Sequence, residues 1–115
     1  MKRNQLLADR LREVLLSGKW IANTNFKEQI INLNYLQANT AIGNHNTIAA
    51  LTFHVMYYIE GILNVLNGGN LEIKDKYSFD MPKLQTEEDW NKLVLQLIKS
   101  SEFLIEKIEI IDEIY

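Results

Sequence analysis

Residues 46–69 read N-T-I-A-A-L-T-F-H-V-M-Y-Y-I-E-G-I-L-N-V-L-N-G-G, and this stretch decides the fold. Asn46 or Thr47 can cap the start of a helix, because a short polar side chain accepts from the exposed backbone N–H groups of a first turn. Asn67-Gly68-Gly69 is a strong stop. Between them, Ile48, Leu51, Thr52, Val55, Ile59, Ile62, Leu63 and Leu66 recur at helical spacing, and Phe53, Tyr57, Tyr58 and Val65 lie outside that stripe. A helix apolar nearly all round is buried on several sides, so the segment is expected to be the central helix of a bundle. It also carries His54 at the flank of the stripe, beside Tyr58 and Gly61.

The flanking segments fit a helical bundle. Residues 4–17 place Leu7, Leu11, Val14 and Leu15 on one face, and Gly18 ends the pattern. Asn23 or Thr24 is expected to cap a short helix holding Phe26, Ile30, Ile31 and Leu33, with one further helical turn at 35–38. Trp20 and Ile21 are read as core plugs in the connection. Residues 70–85 form a long crossover. Its Leu71, Ile73, Tyr77 and Phe79 resemble strand residues, but no second strand is available, so the aromatics are expected to pack on the bundle. Thr86 with Glu87, Glu88 and Asp89 starts the last helix, since a capping hydroxyl and acids suit the positive end of the helix dipole. Trp90, Leu93, Val94, Leu97, Ile98, Leu104, Ile105, Ile108 and Ile111 supply its bundle face. The fold expected is all-α: three main helices plus a short one, joined by the long crossover, in one domain over 1–115.

Bulk composition narrows the function. The chain has 115 residues, enough for one domain with a sizeable core. It contains no cysteine, which removes disulfides, thiolate zinc sites and thiol nucleophiles. A net charge of -3, without a basic cluster larger than Lys2-Arg3, argues against nucleic-acid binding. The charged N-terminus is unlike a signal peptide. The apolar run of 48–66 is nearly long enough to span a bilayer, but His54, Glu60 and Asn64 make spanning costly. A soluble, cytoplasmic protein is expected.

His54 is the principal candidate site residue. A lone histidine on an apolar flank is more often a core or boundary residue bonded to a carbonyl or tyrosine than a metal ligand. A catalytic zinc or nickel site needs about three protein ligands and an open position. The only other histidine, His45, lies nine residues earlier, roughly 13 Å along a helix at 1.5 Å per residue, and is read as a loop residue. Glu60, six residues after His54, points to another face and is read as exposed or paired with a lysine. No Ser/His/Asp set and no phosphate loop is legible.

The runs G-K-W-I-A-N-T-N-F-K-E-Q-I (18–30), N-T-I-A-A-L-T-F-H-V-M-Y-Y-I (46–59), N-V-L-N-G-G (64–69), D-K-Y-S-F-D-M-P (75–82) and E-E-D-W (87–90) together resemble the DinB-like proteins, small bacterial helical bundles. The likeness covers residues 6 to about 108. It implies an up-down-down-up four-helix bundle, frequently a homodimer, with a divalent metal, zinc or nickel, held by three histidines. His54 matches one of these in place and context. The other two belong to a further helix with a His-x-x-x-His pattern, which is not in this sequence. The domain therefore reads as cut short at its C-terminal end, without a stably bound metal of its own. Some relatives are transferases or isomerases acting with low-molecular-weight thiols, and many have no assigned activity, so the resemblance implies a small-molecule thiol as one substrate class for the complete form. The competing expectation is a non-catalytic helical protein acting through homodimerisation or partner binding, drawn from the uncovered Ile110, Ile114 and Tyr115.

Overall fold

The computed structural model describes residues 2–17, 25–41, 43, 46–81 and 83–111. All regular structure among them is helical: α1 (Arg3–Arg12), α2 (Phe26–Ile31), α3 (Tyr35–Ala38), α4 (Ile48–Leu66) and α5 (Glu87–Ile110). A π-helical turn, Glu13–Ser17, extends α1, and a 3-10 turn, Asp75–Tyr77, interrupts the crossover. Each cap follows local chemistry. The Thr47 hydroxyl accepts from Ala50 N–H at 3.0 Å, and the Thr86 hydroxyl accepts from Asp89 N–H at 3.1 Å. Asn25, rather than Asn23 or Thr24, caps α2, its side chain accepting from Glu28 N–H at 2.9 Å. Trp20, Ile21, Asn23 and Thr24 lie outside the described residues. Asn34 and Gln37 close a reciprocal capping box that lets the single turn of α3 stand.

The central helix is α5, not α4. It packs against both α1 and α4 and buries Trp90, Leu93, Val94, Leu97, Ser100, Ser101, Leu104, Ile105 and Ile108. The anticipated α5 face is the observed one. The α4 face is rotated from the expected stripe: Ala49, Thr52, Met56 and Ile59 are buried, whereas Leu51 and Ile62 are 43% and 44% exposed. Small side chains explain the rotation. Ala49 and Thr52 have no exposed surface at all, as happens where a neighbouring segment approaches closely. Buried Thr52 satisfies its hydroxyl by donating to Ile48 C=O at 2.8 Å. The same effect turns α1, where Ala8 is fully buried and Leu7 stands 51% exposed.

The C-terminal end of α5 lacks a glycine stop, and α1 supplies what is missing. The Asn4 side-chain amide donates to the carbonyls of Ile108, Glu109 and Ile111 at 3.1, 3.0 and 2.8 Å. The last turn of a helix leaves carbonyls that need partners beyond the helical ladder, and Ile108 C=O also accepts from Ile111 N–H at 3.3 Å. Arg12 pairs with Glu109, which offsets the placement of an acid at the negative end of the helix dipole. At the other end, Trp90 Nε1 donates to Leu33 C=O at 2.9 Å and Tyr35 N–H donates to the Glu87 carboxylate at 2.7 Å, tying the α2–α3 link to α5.

Apolar surface is left uncovered on several elements. The accessible surface is 7,923 Å², against about 6,500 Å² for a compact monomer of this mass. Apolar side chains remain uncovered on α1 (Leu6, Leu7), on α4 (Leu51, Ile62, Val65) and on α5 (Leu95, Phe103, Ile110). By length and composition α4 alone among the described helices is long and apolar enough to cross a membrane, yet in this fold one side of it forms the interface with α5.

Candidate functional site

His54 sits midway along α4, half-buried, under the crossover. The Phe79 ring stacks on its imidazole at 4.2 Å between centroids and 9° between planes. The Tyr58 ring, one turn further along α4, meets it edge-on at 5.0 Å. His54 Nδ1 is buried and has no hydrogen-bond partner. The carbonyl or tyrosine hydrogen bond weighed for a boundary histidine is therefore not made at this nitrogen, and the contacts that hold the ring are aromatic.

The crossover is fixed to the same face of α4 by tyrosine hydroxyls. Tyr57 Oη accepts from Lys74 N–H at 2.9 Å and donates to Lys74 C=O at 3.2 Å. Extended residues without a partner strand need such outlets for their backbone groups. The Tyr58 hydroxyl donates to the Asp75 carboxylate, and the Ser78 hydroxyl donates to Asp75 C=O at 2.8 Å, closing the 3-10 turn. Hydrogen bonding to Asp75 pushes the Tyr58 phenol above its ordinary value, so Tyr58 is a proton-holding donor, poorly suited to act as a base. Gly61 admits Ile73: a Cβ at Gly61 would stand 2.4 Å from Ile73 Cγ1. The space above Gly61 is thus filled by the crossover rather than left as a pocket.

Glu60 faces α5 and not His54, as the helical offset requires. Glu60 is exposed, one of the two alternatives expected, and its carboxylate accepts from Gln96 Nε2 at 2.9 Å and from the Ser100 hydroxyl at 3.0 Å. Between α4 and α5 lies a surface cavity of about 440 Å³, floored by Phe53, Met56, Met81 and Leu93. Of its acids, Glu60 is engaged as above, and Asp89 accepts from Gln85 N–H at 2.9 Å. That backbone bond holds the Asp89 carboxyl below its ordinary value.

Among the described residues no three His, Cys, Asp or Glu side chains converge on one point. His45 lies outside the described residues, as do Ile114 and Tyr115. Sequence reasoning placed His54 beside Tyr58 but missed Phe79, Asp75 and Lys74 as its surroundings. The only signal for them was the aromatic content of the crossover. No family model, curated protein or solved structure matches this chain.

Proposed function

We propose that this chain is the helical scaffold of a DinB-like protein, cytoplasmic and bacterial, in which His54 is one ligand position of a divalent-metal site serving a thiol-dependent transferase type of reaction. The observation that carries this reading is the buried, unpartnered Nδ1 of His54 on the crossover face of α4. A buried polar atom without a partner calls for a physical reason, and a metal held at Nδ1 itself, in place of the missing hydrogen-bond partner, is one. The three-histidine set does not fit the described residues by themselves, so no chemical step is assigned to a metal here. The remaining ligands would have to come from outside the described residues. The test is the metal content of the natural gene product, purified without chelators. Stoichiometric zinc or nickel supports the reading, and metal-free protein overturns it.

The second reading is association without catalysis, in which a second copy covers exposed apolar side chains of α1 and α4. It is favoured by Leu51, Ile62 and Val65 on α4 together with Leu6 and Leu7 on α1, each at least 39% exposed. Sedimentation at micromolar concentration tests it: a dimer supports self-association, and a strict monomer rules it out.

A further inference from the structure

We propose that residues 71–81 form a strap that gates His54, with Phe79 as the shield and Tyr57 and Tyr58 as its two fasteners. The inference adds regulation to the His54 reading and rests on that reading only for what the open gate admits; the shielding itself requires no metal.

Three observations converge. First, Phe79 lies flat on the imidazole at 4.2 Å, so one face of His54 is closed by the strap and not by the bundle. Second, the described hydrogen bonds from the strap to α4 near His54 run through side-chain hydroxyls: two at Tyr57 to the backbone of Lys74, and one from Tyr58 to Asp75. These bonds are solvent-exposed, and Phe79 itself remains 43% exposed. A segment held by few bonds at the surface, with little apolar burial, belongs to the low-stability end of a fold and opens without global unfolding. Third, the strap has a seat: Gly61 provides the bare backbone onto which Ile73 closes. Opening the strap lifts Phe79 from His54 and leaves α4 intact, because the bonds released are not helix bonds.

The gate is tested by the reactivity of His54 towards diethylpyrocarbonate. Peptide mapping follows His54, and His45 in the same molecule is the internal reference. Phe79→Ala and Tyr57→Phe are compared with the parent protein, helicity being checked for each. The Tyr57 variant keeps the ring and removes only the hydroxyl that holds Lys74. The His54-to-His45 ratio of rates is expected to rise about tenfold in Phe79→Ala and several-fold in Tyr57→Phe, as the loss of one or two exposed bonds implies. Ratios within about twofold of the parent in both variants overturn the gate. Should Phe79→Ala fail to fold, Gly61→Ala crowds Ile73 and lifts the strap from the same seat, and it is judged by the same ratio. A metal-free protein with a gated ratio sinks the metal reading alone; a metal-loaded protein with an ungated ratio sinks the gate alone.

Discussion

Replacing Trp90 is the sharpest probe of how this fold is held. The indole is 1% exposed, sits in the first turn of α5, and donates from Nε1 to Leu33 C=O at 2.9 Å. Trp90→Phe removes that hydrogen bond, about 1 kcal/mol net with the carbonyl left unpaired. It also removes the second ring, at about 1 kcal/mol or more for the cavity created, so a loss of about 2 kcal/mol is expected. Trp90→Ala removes nearly the whole side chain and is expected to cost about 4 kcal/mol, within the range of large aromatic truncations. The assay is urea unfolding followed by far-ultraviolet circular dichroism, with Leu95→Ala as the control. Leu95 is on the same helix and 51% exposed, so its truncation should cost about 0.5 kcal/mol or less. A Trp90→Ala loss below about 1 kcal/mol, or one equal to that of Leu95→Ala, would refute α5 as the hub.

Other outcomes follow from the same contacts. His54→Ala is expected to cost under about 1.5 kcal/mol, since it removes an aromatic contact and no large apolar volume; a loss above about 3 kcal/mol would make His54 a core hub instead. Thr86→Ala removes the side-chain acceptor of Asp89 N–H and is expected to cost about 1 kcal/mol. Asp89 has a folded pKa below its ordinary 3.8. Its stabilising contribution is therefore complete above that value and lost as pH falls through the lower folded value. Asp89→Asn should flatten the decline in stability as pH falls below 3.8, and an unchanged decline would show that other groups control it.

Much of the architecture was legible because caps and stops are local. Thr47, Thr86 and the Asn67-Gly68-Gly69 stop mark α4 and α5 within a residue, since each depends on a side chain meeting its own backbone. The face of α5 was legible too: its polar residues interrupt the apolar pattern and leave one solution. The face of α4 was not, because an almost wholly apolar helix presents no contrast for periodicity to read. Its orientation follows instead from close approach at Ala49 and Thr52, and α1 turns on Ala8 for the same reason. Hydropathy ranks Leu51 and Leu7 above these small residues, so it points outward. For the site, His54 and Tyr58 could be paired from helical spacing. Their partners Phe79 and Asp75 come from the crossover, whose path depends on a hydroxyl, a bare glycine and a turn that no repeating pattern announces.

The account stands most directly on where a metal sits. Crystals of the natural gene product grown with zinc, measured on both sides of the zinc absorption edge, locate the ion by its anomalous signal. The account predicts one ion with a His54 ring nitrogen about 2.0–2.1 Å away, the usual zinc–imidazole distance. An ion bound elsewhere, with His54 still stacked on Phe79 and uncoordinated, would contradict it.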